Sequence, residues 1–457
     1  MTTPVSISKP RSGACSTVRL AMERLLAVTT WAGHRDSPDS ASPEASSSSW
    51  TTYLESSIPR YHNQLLPLLR SLGFGSPLGE KMEVVDVVEV LISTASFLRD
   101  MASSHGETKS GATLTNLLIR LKDEYGIKED TNSQDFACYQ ALFILCGLLS
   151  MLYEPSTEGQ ARINAPDWPV SQQLIQPEVP LKNIRDKPLG FFLRFYGQLL
   201  PEPRHQAYGI RTQFSKTVGT VEQVYASSLS AYSLRNIGKI SFEWTDTLSN
   251  HLTFLPLSRT LLLFRYPSFC TMSLWPEGHS IFDIILQEYY TGPDPNWSRS
   301  TSLNQEIMLS YRLLFGQDSR SRPIFKEMKE SHGLTDPLLS VLCIKGAGKR
   351  IYSLPSYYWP VACRHRMEKE GRLREQSSYS LNTDFPLLAD RLEILQTYMN
   401  NQKSYRKRDM YRDRRNAGEW LASWPVLILA LLAIFLSFLQ LVVATLQLGY
   451  AISPPKQ

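Results

Sequence analysis

The chain has 457 residues and 51.9 kDa, 42% of them apolar and 11% aromatic, which is enough to bury real cores and excludes a disordered protein. Its 48 Lys and Arg stand against 43 Asp and Glu, a formal charge of +5 that is too small at this size to indicate nucleic-acid binding. The excess sits in one place: Lys403, Arg406, Lys407, Arg408, Arg412, Arg414 and Arg415 fall within thirteen residues that hold two acids, Asp409 and Asp413.

Residues 1–50 are predicted to be an N-terminal segment. Lys9, Arg11, Arg19, Arg24 and Arg35 face the single acid Glu23 in a Ser/Thr-rich setting, the composition of a mitochondrial presequence. Arg24 interrupts the apolar stretch 20–31, however, so a surface helix is expected there. Residues 37–49 contain seven Ser and two Pro, a linker composition that cannot bury enough apolar surface to order itself.

Residues 51–165 are expected to form a helical lobe. Pro59 opens a run that Gly73 closes, residues 80–101 are apolar at helical spacing, and Thr113 caps a helix over 114–125 that Gly126 stops. Residues 136–153 carry no charge over eighteen positions, but no basic cluster flanks them and Cys, Tyr, Gln and Gly interrupt them. The expectation is a buried core helix ending at Pro155 rather than a membrane span. A Pro-rich connection, 166–203, leads to a second lobe over 204–400.

In that lobe Ser280 with Asp283, and Ser302 with Gln305, resemble capping boxes for helices that end before Gly292 and at Gly316. Ile240, Phe242 and Trp244 alternate with polar residues, 251–254 and 260–264 are short apolar runs, and 255–259 supply a turn, so a β-hairpin or small sheet is expected. Leu388, Leu392, Leu395 and Met399 share one stripe of a last helix, 386–399, either a core helix or a stalk into the basic neck at 401–423.

The neck precedes a span. Residues 424–450 are uncharged, and Pro425 to Leu446 are mostly Leu, Ile, Val, Phe and Ala; about 22 helical residues cover ~33 Å, against a hydrocarbon core of roughly 30 Å. Pro425 is placed in the first helical turn, Trp420, Trp424 and Tyr450 suit the interfacial belts, and Pro454 and Pro455 follow the end. The cations upstream, with Lys456 the sole one beyond, put the body in the cytosol and against anionic lipid headgroups. A short tail, 451–457, makes this a tail-anchored arrangement. Ala430, Ala433, Ser437, Gln440, Ala444 and Gln447 recur at spacings of three and four on one face, a seam for a second transmembrane helix from another copy or another protein.

Chemistry-bearing motifs are sparse. The six cysteines (Cys15, Cys138, Cys146, Cys270, Cys343, Cys363) form no Cys-x-x-Cys pair, and Cys343, Cys363 and His365 match no zinc spacing, so no metal is assigned. Residues 345–350 imitate a phosphate loop but lack the leading Gly and the Ser or Thr after Lys349. Asn296-Trp297-Ser298 is a formal glycosylation sequon that a cytosolic body leaves unmodified. No catalytic residue and no cofactor is assigned; His251, Asp246, His279 and Asp283 are the groups from which a site would have to be assembled.

Several stretches together resemble a family of filamentous-fungal membrane proteins of uncharacterised function with one C-terminal transmembrane helix. They are residues 151–155 (MLYEP); Phe242, Trp244, Asp246, Leu248, His251, Leu252 and Phe254; residues 263–270 (LFRYPSFC); residues 314–317 (LFGQ); and Arg412 to Arg415 with Trp420 and the span. Leu255 stands where the pattern has an acid. The resemblance covers about residues 135–450 and implies architecture, with no catalytic residue. The overall expectation is a mainly α protein with a small β-hairpin or sheet and a single C-terminal transmembrane helix, acting as a non-enzymatic interaction or adaptor protein whose partners are the lipid bilayer and a second transmembrane helix. The rival is a membrane-tethered enzyme.

Overall fold

The computed structural model describes residues 24–25, 50, 52–74, 84–103, 113–127, 135–155, 163–164, 185–187, 222–272, 299–334, 336–344, 354, 356–370, 375–402 and 417–452. The Ser-rich linker, most of the Pro-rich connection, the helix expected after Ser280, the sequon, the Gly-rich turn at 345–350 and the basic cluster Lys403 to Arg415 lie outside the described residues.

The helical lobe is built around one helix that is apolar on every side. α1 (His62–Ser71), entered through a 3-10 turn at Ile58–Tyr61, α2 (Val84–Ser103) and α3 (Leu114–Glu124) all pack on α4 (Asp135–Ser150). Every residue of α4 from Cys138 to Ser150 is buried, so this apolar run is a core helix, as expected. α3 starts where the sequence places it: the Thr113 side chain accepts the Asn116 N–H at 3.0 Å, meeting one of the donors a helix start leaves unpaired. It stops on Gly126, whose φ of +67° lets its N–H reach the Asp123 carbonyl while the Ile127 N–H reaches Lys122.

α4 ends at Ser150, five residues before Pro155. Met151 turns the chain with φ 51°, and Leu152 and Tyr153 stay buried outside the helix. The Tyr153 ring stacks on Phe143 at 4.5 Å and its hydroxyl donates to the Phe143 carbonyl at 2.6 Å. The apolar run outlasts the helix because tertiary packing, rather than periodicity, requires it. β1 (Glu154–Pro155) then pairs antiparallel with β2 (Ile163–Asn164).

The second lobe runs through β3 (Gln223–Tyr225), α5 (Ala226–Leu229), α6 (Ala231–Asn236), β4 (Ser241–Thr245), β5 (Phe254–Leu255), β6 (Thr260–Phe264) and α7 (Pro267–Met272). It continues with α8 (Arg299–Tyr311), a π-turn at Arg312–Gly316, α9 (Ser321–Ser331), α10 (Pro337–Cys343), α11 (Val361–Glu370), β7 (Ser378–Ser380) and α12 (Ala389–Asn401). The expected small sheet exists, with order β4-β6-β5: β5 and β6 form an antiparallel hairpin, and β4 runs parallel to β6. Residues 246–259 make the crossover that a parallel pair needs. β6 is the buried centre of this sheet. β3 pairs antiparallel with β7 in a separate ribbon.

Further boundaries differ from the sequence reading. Only Phe254 of the 251–254 run enters a strand, because His251 and its neighbours turn into the core. α8 begins at Arg299, three residues ahead of Ser302, since nothing in that stretch breaks a helix; its continuation ends at Gly316 as expected. α12 is a core helix and not a stalk: Leu388, Leu392, Leu395 and Met399 are buried, and so are Glu393 and Gln396.

The two lobes share one continuous core. The Leu248 N–H donates to the Met151 carbonyl at 2.7 Å, and the Tyr53 and Tyr266 rings meet edge-on at 5.8 Å. On the same side Trp50 packs on Phe269. Leu25 belongs to this core, and Arg24 beside it pairs with Glu89 of α2 at 2.6 Å.

Inside the second lobe Glu306, fully buried mid-way along α8, accepts from Leu387 N–H through both carboxyl oxygens at 3.0 and 3.1 Å and from Leu388 N–H at 2.7 Å. A side chain from one helix thereby caps the start of α12, where free N–H groups and the helix dipole favour negative charge. Glu306→Gln turns an acceptor-only group into one that presents N–H to N–H. It should cost about 2–3 kcal/mol, read as a lowered denaturation midpoint of the detergent-solubilised chain, with Thr113→Ala costing about 1 kcal/mol for comparison.

Candidate functional site

Among the described residues, one helix is long and apolar enough to cross a membrane. α13 (Ala417–Ile452) contains an uncharged stretch, Ile428–Leu448, none of which is buried against the rest of the protein. A soluble core helix of this length would be covered, as the shorter α4, of 16 residues, is. Among the described residues, the large apolar side chains exposed outside α13 are Ile119, Tyr225, Leu257 and Ile394. In water α13 would present an apolar surface far beyond the few hundred Å² that soluble monomers tolerate. In a bilayer each Leu, Ile, Val and Phe favours insertion by about 0.3–0.6 kcal/mol.

α13 has 36 residues, about 54 Å at 1.5 Å each, so it exceeds the 424–450 expected for it. It begins seven residues earlier, and Pro425 therefore lies inside the helix and not in its first turn. That is a correction with a cost, because Pro425 has no N–H to give the carbonyl of Leu421. Trp420, Trp424 and Tyr450 fall within the helix, and Ala430, Ala433, Ser437, Gln440, Ala444 and Gln447 are all exposed along it. Ser437 donates to the Ala433 carbonyl and Thr445 to the Val442 carbonyl, both at 2.8 Å. The hydroxyls of the span are thus satisfied within the helix, while the Gln440 amide stands exposed at mid-span.

Two of the four candidate catalytic groups, His251 and Asp246, are used structurally. His251 is fully buried between β6 and α8. Its Nδ1 accepts the Phe264 N–H at 3.2 Å, so Nε2 carries the proton and donates to Ser310 Oγ at 2.7 Å, which in turn donates to the Ile307 carbonyl at 2.6 Å. The Tyr311 ring lies 5.2 Å away, and the Arg391 guanidinium donates to the backbone carbonyl of His251. Both ring nitrogens are committed and neither reaches solvent. Asp246 forms an ion pair with Arg265, whose guanidinium sits 5.0 Å from the centre of the Tyr266 ring. His279 and Asp283 lie outside the described residues.

A group that the sequence reading passed over is Asp336. It is 1% exposed and serves two helices at once, accepting from Ser268 N–H at 3.0 Å and from the Ser268 hydroxyl at the start of α7, and from Leu338 N–H at 2.9 Å at the start of α10. Burial pushes its carboxyl up to about 6, against the pull of those hydrogen bonds. Asp336-Pro337 is a legible cap followed by a first-turn proline. Its second partner, 68 residues away, has no local signal.

The five described cysteines (Cys138, Cys146, Cys270, Cys343, Cys363) are buried and form no disulfide with one another. His365 is exposed, and no group of three or more His, Cys, Asp or Glu side chains stands together among the described residues.

Burial, with the Arg391 charge adding to it, holds the His251 imidazole down at about 3. The unfolded chain takes up this proton near pH 6.5 and the folded chain does so only near pH 3. Between those values the unfolded state binds more protons, so stability falls as pH falls, by at most about 1.4 kcal/mol per pH unit. Asp336 acts in the opposite sense, because its raised value costs stability as pH rises through about 6. His251→Gln keeps a donor toward Ser310 and removes the titration. At neutral pH it should be less stable by about 1–3 kcal/mol, yet lose less on going from pH 6.5 to 4.5, as measured by chemical denaturation; Asp336 is common to both proteins and cancels. Equal acid slopes would refute the assignment.

No protein-family model, no curated protein and no solved structure matches the chain.

Proposed function

We propose that the chain is a single-pass membrane protein whose body lies on the cytosolic face and acts as a non-enzymatic interaction or adaptor protein. The observation that carries this reading is the uncovered apolar surface of Ile428–Leu448, which needs a non-aqueous solvent. Its orientation is supported by the seven cations between Lys403 and Arg415 on the body's side of the span. The non-enzymatic character is supported by His251 and Asp246 being committed to structural partners.

A second transmembrane helix packs along the stripe of Ala430, Ala433, Ser437, Gln440, Ala444 and Gln447, where small residues allow close approach and the Gln440 amide meets a partner.

The full-length chain should stay in the membrane pellet after alkaline extraction, whereas a chain lacking residues 424–457 should be released. Protease added outside sealed vesicles should digest the body. Release of the intact chain would end the reading, and protection of the body would reverse its orientation. Gln440→Leu should weaken helix association in bilayers by about 1 kcal/mol, measured by energy transfer between labelled copies; unchanged transfer would remove the seam.

A further inference from the structure

The sheet has two unlike ends. At the ends of β4 and β6 that lead to Leu248 and Tyr266, it meets the helical lobe. The opposite end carries the β5–β6 turn, residues 256–259, and the residues entering β4. Pro256, Leu257, Ser258 and Arg259 are all exposed, and Leu257 is 92% exposed, the most of any large apolar side chain recorded among the described residues.

This tip is held out by bonds at its base. The Arg259 carbonyl accepts the Ser241 N–H at 2.9 Å and the Ser241 hydroxyl at 3.3 Å, and Arg259 itself takes φ 53° to close the turn. Lys239, two residues before Ser241, is exposed beside it.

The same end receives the last turn of α12. Tyr398 packs its ring on Phe254 at 4.8 Å and donates its hydroxyl to the Gly238 carbonyl at 2.9 Å. Gly238 approaches so closely that an added Cβ would stand 2.6 Å from the Met399 sulfur. From here the chain leaves for the span: residues 403–416 separate Gln402 from Ala417, a reach of at most ~50 Å even when fully extended. Lys239, Arg259, Lys403, Arg406, Lys407 and Arg408 outnumber the acids close by in sequence, Glu243, exposed on β4 two residues past Ser241, and Asp409.

We infer that the β5–β6 tip is a second membrane contact, in which Leu257 enters the interface of the bilayer that α13 crosses while Arg259 and Lys239 meet anionic lipid headgroups. An exposed apolar side chain with two cations beside it, and with the acid Glu243 set back along β4, has the chemistry that an anionic lipid surface attracts. α12 ends on this side of the body, whereas the helical lobe covers the other end of the sheet. The inference rests on α13 being a span, and its test separates the two.

The full-length chain with Cys15→Ser is reconstituted into phosphatidylcholine vesicles with and without phosphatidylserine. The five other thiols are buried, so single Leu257→Cys, Ile119→Cys and Leu436→Cys variants accept an environment-sensitive fluorophore at the tip, on α3 of the helical lobe and in mid-span. Lipids spin-labelled at the headgroup should quench the tip probe severalfold more than the α3 probe, and lipids labelled deep in the acyl chain should quench the mid-span probe. Adding Lys239→Glu and Arg259→Glu, or leaving out phosphatidylserine, should bring tip quenching down toward the α3 value. Quenching at mid-span with equal quenching at tip and α3 would overturn the tip contact and leave the span standing; no quenching at mid-span would overturn both. Strong tip quenching that ignores phosphatidylserine and the charge reversals would overturn the assignment to anionic lipid. A tip probe that shifts to the blue without quenching by lipid would mean that protein covers it.

Discussion

Backbone N–H groups left over at helix starts organise the second lobe, and buried carboxyl groups answer them. Glu306 joins α8 to the start of α12, and Asp336 joins the starts of α7 and α10. Each is charge-complementary to the helix ends it meets, and each is buried deeply enough that removal would strand several donors at once. His251 does the corresponding service between β6 and α8 in neutral form. His251, which looked available for chemistry, is one of the groups that fasten these elements together.

That use of polar groups explains where sequence reasoning reached and where it stopped. Local signals were legible: the Thr113 cap, the Gly73 and Gly126 stops, the buried stripe of α12 and the long apolar stretch of α13 each depend on residues a few positions apart. The three-stranded sheet was visible as alternation, but its parallel β4–β6 pairing was not, because pairing depends on how the 246–259 crossover folds rather than on either strand. Glu306 sits mid-helix with nothing nearby to mark it, and its partners lie 81 and 82 residues on. The end of α4 was misplaced for a related reason: Tyr153 is kept apolar and buried by its contact with Phe143, which continues the hydrophobic signal after the helix has ended.

Residues from 151–152, 242–251, 264 and 315 meet in this interior. Met151 and Leu152 offer carbonyls to Leu248 and Ser249, His251 joins Phe264 to Ser310, and Phe242 packs on Phe315 at 5.8 Å. Packing and hydrogen bonding account for residues of these kinds at these positions without an appeal to catalysis. Among the described residues, the most exposed large apolar side chain outside this interior, Leu257, stands at the end where α12 and the β5–β6 turn come together.

In the membrane reading proposed above, Pro425 gives the rod a fixed draught. Lacking an amide hydrogen, it leaves the Leu421 carbonyl to be met by water, which the hydrocarbon cannot supply. That oxygen has to ride at the wetted boundary, and the residues that follow are then assigned their depths one by one. Sliding the rod deeper would strand the oxygen, and withdrawing it would bare Ile428 and Leu429, so a single proline sets the waterline for the whole molecule.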